Sequence, residues 1–182
     1  MLKNTSAEGS IIGNIGSTYL DLEDYKNAES SYLMRYEIAK KINDKVGEGN
    51  ALNNLGLTYT YLGRISDALE TYNQRLSIAV DLGDKKSEAN VLSNIGLAYT
   101  RLNQPNDSLK FCKKSILIAR KIGANLIEAN ANANLGVAYN QLGNNVKAKK
   151  HLEIALQIYE FLESPKAVEA RTRLKMLDDV IA

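Results

Sequence analysis

The chain has 182 residues, 45% of them hydrophobic and 24% charged, and a formal net charge of +2, which suits one soluble globular domain with a continuous core. So small a net charge supplies no field that would draw it to nucleic acid or to an anionic membrane, and no run approaches the ~20 apolar residues of a membrane-spanning helix. A single cysteine, Cys112, excludes an internal disulfide, a single histidine, His151, excludes a metal cluster built on histidines, and Met1–Thr5 lacks the apolar centre of a signal peptide.

An internal repeat runs through the chain from its first helix onward. Asn14-Ile15-Gly16, Asn54-Leu55-Gly56, Asn94-Ile95-Gly96 and Asn134-Leu135-Gly136 share one pattern whose glycines step by 40 (56−16, 96−56, 136−96). Other columns keep the same register: Tyr19, Tyr59, Tyr99 and Tyr139; Leu22, Leu62, Leu102 and Leu142; Ala28, Ala68, Ser108 and Ala148; Glu8, Glu48, Glu88 and Glu128. The units fall at about 7–45, 46–85, 86–125 and 126–164.

Within the second unit, Leu52, Leu55, Tyr59 and Leu62 make one face of a helix starting at Glu48. Gly63 reads as its stop, and Ser66 and Asp67 offer an N-cap for the next helix. That second helix runs to about Leu82, with Ala68, Tyr72, Leu76 and Ala79 on one face, and Gly83-Asp84 closes it. Gly56 and Ala68 lack bulk where two helices must come close. A lone hairpin of this kind buries too little, so the units must stack. Proline is confined to Pro105 and Pro165, in keeping with helices throughout. After Pro165 the pattern slips by one residue; Ala170, Leu174, Leu177 and Ile181 form the apolar stripe of a capping helix over about 166–181.

Leu55-Gly56, Tyr59, Leu62-Gly63, Ala68, Tyr72 and Leu76, with their counterparts in the other units, resemble the tetratricopeptide repeat over about residues 8–163. The resemblance implies an all-α fold: an α-solenoid, wound as a right-handed superhelix, of four helical hairpins plus the cap, in a single domain 1–182. Units of 40 residues are similar to those of the Pins/LGN polarity adaptors and, more loosely, of kinesin light chains and bacterial peptide-sensing regulators. Departures from the pattern are Cys112 and Leu152 in the column of Tyr72, and Arg35 and Arg75 where Ala155 shows the usual small residue. The N-terminal hairpin has no cap of its own, so the chain is expected to be cut from a longer protein or to pack there against a partner.

On a helical wheel of ~100° per residue, Asn50, Asn54, Leu57 and Tyr61 oppose the apolar face of the first helix of unit two. Their equivalents are Asn90, Asn94, Leu97 and Arg101, then Asn130, Asn134, Val137 and Gln141, with Ser10, Asn14, Ser17 and Asp21 in the first unit. The resemblance implies that this face lines a concave groove. Asparagine inside a helix costs roughly half a kcal/mol relative to alanine, so its recurrence suggests use. Each amide offers a donor and an acceptor, a match for the C=O and N–H of an extended peptide. The same asparagines would equally suit bonds between neighbouring helices. Arg171 and Lys175 fall where Asn130 and Asn134 would recur and are read as a basic groove end.

Other residues read as structural. Cys112 occupies a core column, His151 a solvated basic stretch, and the glutamates first helical turns, where the helix dipole favours them. Gly47-Glu48-Gly49 has no preceding strand and is no phosphate loop. No catalytic residue, metal or cofactor is expected. The resulting reading is a cytoplasmic module that binds a protein or peptide segment. The alternative is a scaffold that self-associates or extends a longer solenoid through Ile11, Ile12, Ile15 and Tyr19; an enzyme or small-ligand sensor lacks a reactive constellation.

Overall fold

In a computed structural model the chain is described from residue 2 to residue 181, and its side chains from 6 to 179. Met1–Thr5 and Ile181 of the cap stripe lie outside the described side chains. Among the described residues there are nine helices and no strand: α1 Leu2–Asp21, α2 Tyr25–Lys41, α3 Lys45–Tyr61, α4 Ile65–Asp81, α5 Lys85–Arg101, α6 Pro105–Ile122, α7 Asn125–Gln141, α8 Asn145–Phe161 and α9 Lys166–Ile181. The fold is all-α, of the tetratricopeptide solenoid class, with each helix packed on the next in the chain within two compact units. These units are residues 1–83 and 84–182. The first holds α1 to α4, the second α5 to α9.

The 40-residue period is a 20-residue period taken twice. Left-handed backbone recurs at Glu23, Asn43, Gly63, Gly83, Asn103, Gly123, Gly143 and Glu163, with φ between 51° and 74°. These residues end one helix and release the chain into the next. The aspartates just beyond them set the starts. Asp24, Asp44 and Asp84 accept from the backbone N–H of Asn27, Gly47 and Ser87 at 3.3, 2.8 and 3.0 Å. Helix α3 therefore begins three residues before Glu48. For α4 the expected cap at Ser66 and Asp67 is corrected: the cap position is Arg64, without a side-chain bond, and Asp67 accepts from Arg64 Nε at 2.7 Å. The turn at Gly63 fixes the cap position, two residues ahead of Ser66. Glu48, Glu88 and Glu128 lie in first turns, but Glu8 does not, because α1 starts at Leu2.

Each hairpin closes on its glycine column. A Cβ on Gly16 would lie 2.8 Å from the Tyr32 ring, and one on Gly136 2.6 Å from Leu152; on Gly56 and Gly96 it would run into Tyr72 and Cys112. Tyr32, Tyr72 and Cys112 are fully buried. A second contact explains the arginine departures. Arg35 and Arg75 lie against Gly13 and Gly49, and Arg35 Nη1 donates to the Gly9 carbonyl at 2.6 Å. In the third hairpin Ser115 Oγ donates to the carbonyl of Ala89, the equivalent position, at 2.7 Å. A long side chain on the second helix thus goes with glycine opposite, and a short one with alanine.

In the second unit the core runs through Cys112, Ile116, Ala131, Leu135, Leu152 and Leu177. The cap joins it through Ala167 and Ala170, which pack with Ala129, Ala155 and Tyr159. No helix among the described residues is long and apolar enough to cross a membrane.

Candidate functional site

The row opposite the buried face of each first helix stays accessible. In α3, Asn50 and Tyr61 are exposed and Asn54 and Leu57 half-buried; in α5, Arg101 is exposed and Asn90, Asn94 and Leu97 half-buried; in α7, Gln141 is exposed and Asn130, Asn134 and Val137 half-buried. Asn14, Ser10, Ser17 and Asp21 of α1 are exposed. Tyr61 stacks on Tyr25 of α2 with ring centroids 5.2 Å apart. This half-burial follows from packing between successive first helices, α1 with α3 in the first unit and α5 with α7 in the second.

Neighbouring helices recruit several of the amides. Asn134 Nδ2 donates to the Ser93 carbonyl at 3.0 Å and lies 3.3 Å from its hydroxyl. Gln141 Nε2 donates to the Thr100 carbonyl at 2.8 Å. Asn130 Oδ1 accepts from Tyr159 Oη at 2.8 Å and from Lys166 Nζ at 2.9 Å. Asn90 and Asn94 are engaged as well. The expectation that each amide offers both a donor and an acceptor is therefore corrected at three residues. Asn134 and Gln141 keep an acceptor oxygen and Asn130 a donor NH₂, because the hairpins themselves use the other half.

The cap region also differs from expectation. Arg171, read as part of a basic groove end with Lys175, is turned onto Glu160 of α8, with Nη2 2.6 Å and Nε 3.1 Å from Oε1. The cation at the α7–α9 cleft is Arg173, whose Nη2 lies 2.8 Å from Glu169 Oε1.

The single cysteine and the single histidine are built into the packing. Cys112 is buried, and desolvation pushes its thiol up to about 12, so it is not a thiolate at neutral pH. His151 is half-buried rather than solvated. Its ring stacks on Tyr139 at 5.4 Å and its Nδ1 lies 2.9 Å from Asn132 Oδ1. Burial first, then Lys150, Lys113, Arg120 and Lys147, hold its pKa down. Sequence pattern gave no sign of this because the buried Asn132 stands outside the Asn columns. Among the described residues no group of three His, Cys, Asp or Glu side chains is placed to hold a metal.

Solved structures share this fold. BtubC from P. vanneervenii superposes with a TM-score of 0.78 at 19% identity, over 95% of this chain and 72% of that one. A Rap protein complexed with Competence and Sporulation Factor gives 0.86 at 18%, over 93% and 48%, and the apo form of RapI gives 0.79 at 17%, over 94% and 63%. The chain thus spans about half to two-thirds of the Rap structures. No curated protein sequence matches it. The tetratricopeptide repeat pattern matches residues 8–79 and 87–175, most of the chain, and with the hairpins, the glycine column and the cap in place, the chain belongs to the tetratricopeptide repeat family.

Proposed function

We propose that this protein binds an extended segment of a partner protein along the accessible rows of its first helices and catalyses no reaction. The observation that carries the reading is the row itself: Asn50, Asn54, Leu57 and Tyr61 in one unit and Asn130, Asn134, Val137 and Gln141 in the other are accessible, neutral, and free of the Lys and Glu that ordinarily cover a solvated helix. The fold is one that mediates protein–protein interaction, and a Rap structure of the same fold holds Competence and Sporulation Factor.

The internal bonds sharpen the chemistry. On α7 the free NH₂ of Asn130 and the free oxygen of Asn134 lie one helical turn apart, a donor and an acceptor of fixed polarity. They match one C=O and one N–H of an extended backbone. Leu57, Leu97 and Val137 supply apolar contact beside them. A cytoplasmic location accords with the lone buried thiol, and nothing in the small net charge favours nucleic acid.

The test is selection of binders from a displayed random peptide library, followed by affinity measurement on Leu57→Glu and Leu97→Glu. Both positions are half-buried at the surface, so the helical circular dichroism should persist while affinity drops at least tenfold. Unchanged affinity with intact folding, or a library that yields no binder, overturns the reading.

One observation favours a second reading, assembly through the first hairpin. Ile11 and Ile15 are 60% and 45% exposed, whereas their counterparts Ala51, Leu55, Ala131 and Leu135 are at most 3% exposed under the preceding hairpin. Sedimentation at high concentration tests it: a monomer that stays monomeric removes self-association.

A further inference from the structure

The cap does not close the second unit completely. Helix α9 packs on α8 through Ala167, Ala170 and Leu177, and a cleft of about 190 Å³ remains between α7 and α9. Its walls are Gly136 and Val137 of α7, Leu152 of α8, and Met176 and Leu177 of α9; Asn140 and Arg173 stand with them as its polar groups. The glycine column, needed to let Leu152 approach α7, leaves that wall without a side chain. The cleft is open to solvent, and Met176 is 63% exposed.

We infer that this cleft is an anchor pocket for one large apolar side chain, of phenylalanine or leucine size, in the bound segment of the partner. The inference rests on the peptide-binding reading and names where that segment is gripped. Size supports it: an apolar cavity of about 150 Å³ is enough to hold benzene. Chemistry supports it too, because a methionine at the surface moulds itself to apolar guests and apolar walls with a few polar groups are the usual make-up of a ligand site. The position is continuous with the candidate face, since Val137 belongs to both. Arg173 gives Nε and Nη2 to Glu169 and keeps Nη1 for a backbone carbonyl of the guest, with the Asn140 amide beside it.

Methionine methyl groups report on the pocket directly, because the chain has three methionines and Met34 lies on α2 in the other unit. The probe is N-acetyl-L-phenylalaninamide, titrated into the full chain labelled with ¹³C at the methionine methyls, with N-acetyl-L-alaninamide as control. The expected result is a saturable shift of Met176, no shift of Met34, and binding of the alanine analogue at least tenfold weaker. Val137→Phe, which fills the cleft from its own wall, should abolish the Met176 response while leaving the Met34 signal in place. A Met176 signal that stays still to the solubility limit, that responds equally to the alanine analogue, or that responds equally in Val137→Phe overturns the pocket. The two levels separate cleanly. Library peptides that lose affinity in Leu57→Glu but not in Val137→Phe sink the pocket and keep the peptide-binding face; a pocket that takes the phenylalanine probe in a chain that selects no peptide does the reverse.

Discussion

Gly56→Ala puts the packing argument at its sharpest, because two effects of known size oppose each other. In an isolated helix the change is favourable by about 1 kcal/mol, since glycine spends more backbone entropy and exposes more backbone than alanine. Here the added methyl would meet the Tyr72 ring, with Cδ1 at 2.6 Å and Cζ at 2.8 Å. Tyr72 is fully buried on α4, and Leu55, next to Gly56 in the chain, is 3% exposed, so the ring has little room to rotate and the two helices must part. Overpacking of a core costs about 1–3 kcal/mol, and contacts this short belong at the upper end. The net expectation is a loss of about 2 kcal/mol, or roughly 4–8 °C in melting temperature for a chain of this length. Thermal and urea unfolding followed by circular dichroism measure it. A companion cycle isolates the cause: in a Tyr72→Ala background the space exists, and Gly56→Ala should become neutral or stabilising. A Gly56→Ala chain as stable as wild type, or a penalty of the same size in both backgrounds, refutes the view that this column is glycine because two helices touch there.

The thiol of Cys112, held up to about 12 by burial, should not react with Ellman's reagent at pH 8 in the folded chain and should react fully in denaturant. Burial lowers the pKa of His151, so the unfolded chain takes up its proton first as pH falls; stability should drop as pH descends from about 6.5, the ordinary histidine value, and the slope should flatten in His151→Gln, as read from urea midpoints against pH. Glu163 holds φ 51° at the end of α8, a conformation that costs a residue with a Cβ about 1–2 kcal/mol, so Glu163→Gly should raise the melting temperature slightly, and a fall would mean that the side chain has a stabilising contact there. Asn134→Ala should cost about 1 kcal/mol of stability by removing the bond to Ser93, in the same unfolding assay; a stable variant would show that this amide matters only to a ligand.

How much could be read beforehand depended on whether the signal was periodic. The glycine column, its buried partners and the four hairpins are visible in sequence because each copy restates the same steric need at the same spacing. Helix starts were harder. Asp44 and Asp84 looked like the tail of one unit and are the caps of the next, since a cap belongs to the helix that follows it. The left-handed residue at every twentieth position was legible at Gly63, Gly83, Gly123 and Gly143, and hidden at Glu23 and Glu163, where a glutamate adopts the same backbone. The role of Arg75 was hidden too: it is explained only by Gly49 on the facing helix, 26 residues away in sequence.

The amides show why the site was less legible than the fold. Asn134 bonds to Ser93 and Gln141 to Thr100, each across 41 residues, one more than the repeat. Periodicity aligns Asn134 with Asn94, but the helices settle one residue out of that alignment, so the amide meets the residue before its counterpart. That stagger, with the bonds of Asn130 to Tyr159 and Lys166, turns a ladder of interchangeable donors and acceptors into groups of fixed polarity: remaining oxygens at Asn134 and Gln141, a remaining NH₂ at Asn130. A side chain used in this way serves both readings at once. It ties one first helix to the next, which accounts for asparagine in place of a better helix former, and by spending one half of the amide internally it holds the other half still. A rigid acceptor loses less freedom on meeting a ligand than a mobile one, so under the proposed peptide-binding reading the bonds that stabilise the stack would also prepare its surface for a partner.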